Sequence, residues 1–443
     1  MNAPELLSPA GSIKHMRYAF AYGADAVYAG QPRYSLRVRN NEFSVEKLQQ
    51  GVAEAHGAGK KFFIASNLLP HDNKIKTYLG DMEPIIDMQP DALIMADPGL
   101  IMLVREKWPD IPVHLSVQAN TLNSSAVKFW QSLGLSRVIL SRELSLDEIE
   151  KIRQQCPDME LEVFVHGALC IAFSGRCLLS GYFNHRDANQ GACTNSCRWK
   201  YNLHEAKETE TGDIEKALSE ISADTWLLEE LERPGELMPI EEDEHGSYIM
   251  NSKDLRAVQH VQRLTEIGID SLKIEGRTKS YYYAARTTQI YRQAIEDTVS
   301  GRPFNFELMK SLDGLANRGY TEGFYRRHAP DEYQNYQSGN SDNYEQRFAG
   351  EVTSKNTETG MLEIEVKNKL TVGNQVELML PKGNHRFVLE YMEDKQGTPI
   401  DIAPGSGYQI RIKVPVEIDP DFGLLIVDTK RESTSDEATD LTS

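Results

Sequence analysis

Seven short apolar runs, "PELLSPAG", "DAVYAG", "KKFFIASN", "DALIMAD", "VHLSVQAN", "RVILSREL" and "LEVFVHG", alternate through the first 170 residues with stretches of helical period such as "SVEKLQQGVAEAHGAG" and "SLDEIEKIRQQC". Strands joined through helices pair in parallel, and a parallel sheet must be covered on its outer face. An eighth run, "IDSLKIEG", follows at residues 269–276. Eight is the number that closes a (β/α)8 barrel. The open doubly wound sheet is the alternative, but no G-x-G-x-x-G follows the first run. The expected class is therefore α/β, with a (β/α)8 barrel-like N-terminal domain over 1–325.

A chain of 443 residues exceeds what one hydrophobic core serves, so a second domain is expected. Polar residues 326–347 read as a linker. Beyond them, "AGEVTSKN", "GMLEIEVKN", "NQVELML", "RFVLEYM" and "YQIRIKV" alternate between Gly, Asn and Pro turns, the pattern of a small all-β barrel over 348–429. The tail, 430–443, has the composition of a disordered segment. The N-terminus has no basic region leading into an apolar one, and no apolar run reaches membrane-spanning length, which predicts a soluble cytoplasmic protein with no membrane partner.

Four of the five cysteines, Cys170, Cys177, Cys193 and Cys197, fall within 28 residues just after the seventh run. In a reducing compartment such a group binds metal or does redox chemistry more often than it forms disulfides. Structural zinc favours two tight knuckles, and only the last pair here, C-x3-C, is close. An iron–sulfur core accepts thiolates from irregular loops, which suits this spacing better. On spacing alone iron–sulfur, zinc and disulfide all stay open. A radical-SAM arrangement falls, because Arg198, Trp199 and Lys200 follow where a third close cysteine is needed. Cys156 has no neighbour at ligand spacing and reads as an ordinary helix-end residue.

The net charge of −18 argues against indiscriminate nucleic-acid binding, yet its distribution is uneven. Residues 205–245 carry −12 and residues 431–443 carry −3, which leaves −3 for everything else. The acidic segment reads as a solvated excursion, with "LSEISADTWLLEELERPGE" partly helical. Arg176, His185, Arg186, Arg198 and Lys200 make the cysteine stretch locally basic, suited either to RNA phosphates or to neutralising a thiolate-held cluster.

"ELEVFVHGALCIAFSGRCLLS" resembles the signature of the collagenase-like "U" peptidase family, and "LLSPAG", "GADAVYAG", "SLRVRNNEF", "YIMNSKDL", "LKIEGRTKS" and "NRGYTEGFY" match it in order. The resemblance covers residues 1 to about 430, and length together with the β module makes it nearest to tRNA-hydroxylating members. It implies a [4Fe–4S] cluster on Cys170, Cys177, Cys193 and Cys197, and hydroxylation of the wobble uridine of a tRNA anticodon stem-loop with prephenate as hydroxyl donor. A peptidase and a non-catalytic iron–sulfur module are the alternatives. The sequence holds no H-E-x-x-H, no G-x-S-x-G and no cysteine outside the cluster in a reactive setting, which weakens the first.

Barrel enzymes gather functional groups at the C-terminal ends of their strands. Those ends carry Asn67, Asp97, Gln118 with Asn120, Arg142, His166, and Glu275 with Arg277. Any one of them can equally cap a helix or tie a loop. For the two carboxylates of prephenate, the planar donors are Arg142, Arg277, Arg37 and Arg39. Gln118 and Asn120 are candidates to read a splayed base and Tyr34 to stack on it. His166 and Glu275 are the candidates to move a proton.

Overall fold

The computed structural model describes residues 2–36, 42–169, 173, 174, 176, 253–317, 319–326, 346–356, 358–415 and 418–428, and the backbone of five short strands between 206 and 248. Eight parallel strands close on themselves: β1 (Glu5–Pro9), β2 (Ala26–Gly30), β3 (Lys61–Ser66), β4 (Ala92–Met95), β5 (Val113–Leu115), β6 (Arg137–Ile139), β7 (Glu160–Ala168) and β8 (Ser271–Ile274). Neighbours pair in chain order, and β8 joins both β7 and β1 to complete the ring. Each of the eight apolar runs supplies one strand.

Helices α1 (Ile13–Ala21), α2 (Val45–Gly57), α3 (Asp72–Asp87), α4 (Pro98–Lys107), α5 (Ser124–Ser132), α6 (Leu146–Gln155), α7 (Val261–Ile267) and α8 (Tyr281–Val299) follow the strands in turn. Most begin on a short polar side chain that accepts a backbone N–H of the first turn: Ser12, Ser44, Asp97, Asn123, Ser145 and Ser280. Asp97 is thus accounted for as the cap of α4. Among the described residues no helix is long and apolar enough to cross a membrane.

The lumen is filled near its N-terminal end by charge. Arg137 on β6 reaches Glu5 at 2.7 Å, Glu162 at 3.0 Å and Glu160 at 2.8 Å. Lys273 on β8 donates to the other oxygen of Glu162 at 2.8 Å. Glu162, Arg137 and Lys273 are all buried. Burial lowers the Lys273 pKa against the opposing pull of Glu162, so the group depends on its carboxylate to stay charged.

All of the cysteine stretch and the acidic segment fall between β7 and α7. Cys170, Cys177, Cys193 and Cys197 lie outside the described residues, as do Arg37, Arg39, His185, Arg186, Arg198 and Lys200. Where the sequence suggested partial helix, Trp226–Glu229 is a strand, antiparallel to Leu237–Asp243. In the backbone register Trp226 lies opposite Ile240 and Leu228 opposite Met238.

The C-terminal module is an antiparallel, barrel-like sheet with its own apolar core, including Ile364, Val366, Leu378, Ile410 and Val427. It is seated on the helices of the barrel. Met379, Leu424 and Ile426 join the main core. The Tyr22 hydroxyl lies 3.0 Å from the carbonyls of both Met379 and Phe422. Phe348 stacks on Tyr282 of α8 with centroids 5.1 Å apart. Two carboxylates bind across the seam. Glu351 accepts from Tyr18 at 2.8 Å, Tyr281 at 3.1 Å and Lys14. Glu377 accepts from Arg286 of α8 at 2.8 Å, and both side chains are almost wholly buried.

Candidate active site

The chain leaves β8 through Glu275, Gly276 and Arg277, and the local geometry of this turn is set by glycines. Gly276 holds φ at +148°, a conformation that side chains disfavour. A Cβ at Gly30 would come within 2.4 Å of an Arg277 guanidinium nitrogen, so only glycine leaves that arm its place. Arg277 then donates to the carbonyl of Leu36 at 2.5 Å.

Around this turn the structure brings together three of the residues singled out from sequence. The hydroxyl of Tyr28, on β2, donates to the carbonyl of Ile274 at 3.0 Å and lies 3.3 Å from the Glu275 carboxylate. Arg277 lies over the same ring at 5.8 Å, and Lys273 at 4.4 Å. Arg142 lies 4.0 Å over Phe164 and donates to the carbonyl of Ala168 at 2.7 Å, while its Nε has no partner among the described residues. Burial, followed by the Glu275 charge, holds the Tyr28 phenol well above its usual range, with Arg277 and Arg142 acting in the other direction. Two arginines, a carboxylate and a protonated phenol thus lie at the C-terminal end of the barrel, with Lys273 beneath the phenol ring in the lumen, an arrangement suited to an anionic ligand.

A second polar group forms across β3 and β5. Asn67 donates to Gln118 at 3.1 Å and Gln118 also accepts from Ser116. Asn120, in the left-handed conformation, donates to the carbonyl of Ser174 at 3.0 Å, and its Oδ1 is buried without a partner among the described residues. Gln118 and Asn120 are therefore near neighbours, with amide groups at the barrel rim.

Two assignments need revision or relocation. Tyr34 is fully buried, packed edge-on to Tyr78 at 4.8 Å, with its hydroxyl donating to Asp81 at 2.7 Å, so it offers no face for a base. Helix α3 supplies both covering residues. His166 is not brought to Glu275's carboxylate cluster. Its ring lies among Tyr283, Tyr291 and Tyr320, with the Tyr291 hydroxyl on α8 3.4 Å from Nδ1, and its Nε2 has no partner among the described residues.

Burial pulls the His166 pKa down to about 3. An unfolded histidine titrates near pH 6.5, so the unfolded chain binds one more proton between those limits. This contribution to stability is full above pH 6.5 and is lost as pH falls towards 3, at about 1.4 kcal/mol per pH unit. Urea unfolding at pH 7 and pH 5 should show His166→Phe losing correspondingly less than the parent chain. Equal losses would refute the neutral, enclosed imidazole.

Tyr28 and Lys273 were not singled out by sequence. Both sit inside runs read only as apolar strands, "DAVYAG" and "IDSLKIEG". The available signal was parity: Lys273 is two residues before Glu275, the spacing of one strand face.

Residues 11–335 match the family described as Peptidase family U32, and residues 344–425 match Peptidase family U32 C-terminal domain. The chain is 58% identical over 449 residues to tRNA hydroxylation protein P of Escherichia coli K12, covering 98% of this chain and 99% of that protein. It is 57% identical over 440 residues to tRNA hydroxylation protein P of Haemophilus influenzae, covering 96% of each. It is 31% identical over 330 residues to the 23S rRNA 5-hydroxycytidine C2501 synthase of Escherichia coli K12, covering 72% of this chain and 45% of that protein.

Proposed function

The chain belongs to peptidase family U32, and from that premise we propose that it hydroxylates the wobble uridine of tRNA to 5-hydroxyuridine, with prephenate as hydroxyl donor. The near full-length similarity to tRNA hydroxylation protein P supports the tRNA reading. The observation that carries the donor assignment is Arg277 over the ring of Tyr28, whose hydroxyl faces Glu275, with Arg142 held at the end of β7 by the carbonyl of Ala168. A dicarboxylate suits two planar cations, and Glu275, beside Tyr28, is the carboxylate assigned to move a proton. Gln118 and Asn120 would meet the base edge, the anticodon stem-loop lying across the rim.

A [4Fe–4S] cluster on Cys170, Cys177, Cys193 and Cys197 is part of the same proposal; Cys170 is two residues beyond the end of β7. Four thiolates occupy all four iron corners, so its contribution when bound is electron transfer or structural support. Orientation of the donor and handling of the proton then fall to the side chains above. The family's peptidase title gains no support from them.

The test uses anaerobically purified protein, assayed for iron and sulfide and then incubated with tRNA from a strain lacking the gene. About four irons and four sulfides per chain are expected. Nucleoside mass spectrometry should show 5-hydroxyuridine only when prephenate is present. Product formed equally well without prephenate, or stoichiometric zinc in place of iron, would overturn the corresponding part.

A further inference from the structure

The hydroxyl of Tyr28 makes two contacts with one turn of chain: it anchors the carbonyl of Ile274 at 3.0 Å and faces the carboxylate of the next residue, Glu275, at 3.3 Å. Its ring is buried, with Lys273 at 4.4 Å and Arg277 at 5.8 Å. Tyr28 comes from β2 and Glu275 from the end of β8, so the contact spans β1, which lies between those strands. We propose that Tyr28 is a positioning residue that fixes the orientation and proton affinity of the Glu275 carboxylate, so that the carboxylate meets a donor bound by Arg142 and Arg277. This rests on the reading of Glu275 as the proton-moving group.

The phenol is suited to this task. Its proton is retained throughout the working pH range, because burial and then the Glu275 charge oppose its loss. Its single O–H, shared between the Ile274 carbonyl at 3.0 Å and the carboxylate at 3.3 Å, acts on the carboxylate only as a donor, which favours the ionised form. Lys273, held by Glu162 at 2.8 Å, and the two arginines add positive charge from β8, from the turn after it and from the turn after β6. Tyr28→Phe deletes the hydroxyl while keeping the ring between its cations.

Hydrogen bonds to charged groups contribute about 1.5–3 kcal/mol, so kcat in Tyr28→Phe should fall about 10- to 100-fold. KM for prephenate should stay within about twofold, because Arg142 and Arg277 are untouched. The acid limb of kcat against pH should move to higher pH. A readout independent of turnover is the Glu275 carboxyl titration, followed by infrared difference against Glu275→Gln in the full chain. It should rise by about one pH unit in Tyr28→Phe. An unchanged titration overturns the proposal whether or not the chain consumes prephenate. A raised titration with no product from the parent chain upholds the positioning role and instead removes prephenate-dependent hydroxylation.

Discussion

Glu377→Leu is expected to destabilise the protein by about 3–5 kcal/mol, because it leaves a guanidinium buried with no carboxylate. Arg286 is 1% exposed, and Glu377 is its one ion-pair partner among the described residues. The converse change is milder. In Arg286→Met the carboxylate of Glu377 keeps Gln346 at 3.0 Å, Asn384 at 2.7 Å and Arg386 at 3.3 Å. The double variant removes both charges and should recover much of the loss, since a buried pair replaced by apolar groups of similar volume is often neutral. Urea unfolding of the two single variants and the double variant gives the coupling directly. A Glu377→Leu cost below about 1 kcal/mol would mean that the seam opens to water and does not bury the charge.

The second large effect belongs to the lumen. Glu162→Leu removes the carboxylate shared by Arg137 and Lys273; Arg137 keeps Glu5 and Glu160, but Lys273 stays buried beside it without its ion-pair partner, again at a cost of about 3–5 kcal/mol near pH 7. The pH dependence tells the two cations apart. Lys273 already has a folded pKa below its ordinary value through burial, and losing Glu162 lowers it further. Between that folded value and the unfolded value near 10.4, the unfolded chain holds the extra proton, so stability rises with pH. Glu162→Leu should therefore regain part of its loss between pH 7 and pH 10. Arg137 cannot lose its proton in this range and gives no such recovery. A loss that is flat with pH would place the penalty on Arg137 alone.

The barrel was legible because burial on both faces of a parallel strand writes a continuous apolar run, and eight such runs recur with helical sequence between them. The strand-end rule pointed to Arg142, Glu275 and Arg277, which the structure places at the C-terminal end of the barrel. It misplaced His166 for a specific reason. The pairing of β7 with β8 shifts register between Lys273 and Ile274, so that His166 lies opposite Ile274. One residue of slip turns a side chain to the other face of a sheet, here towards α8. Tyr34 failed differently: its burial depends on Tyr78 and Asp81, more than 40 residues away in sequence, which no local pattern reveals. The partnership of Arg286 and Glu377 is hidden for the same reason, since it joins two domains across 91 residues. Tyr28 and Lys273 were concealed by their neighbours, because a polar-tipped residue inside an apolar run reads as part of the core.

The seating of the C-terminal module through Tyr22, Arg286 and Glu351 bears on how a large ligand is gripped. Two domains on a loose tether lose relative freedom when one ligand binds both, and that loss weakens association. Here the seam is already packed and hydrogen-bonded before any ligand arrives. A stem-loop that touches the barrel rim and the module would therefore make its second contact at high effective concentration, and a stem of the wrong length could not be accommodated by moving the module. The interface would then act as a fixed gauge, admitting a ligand that reaches both parts only if its span fits.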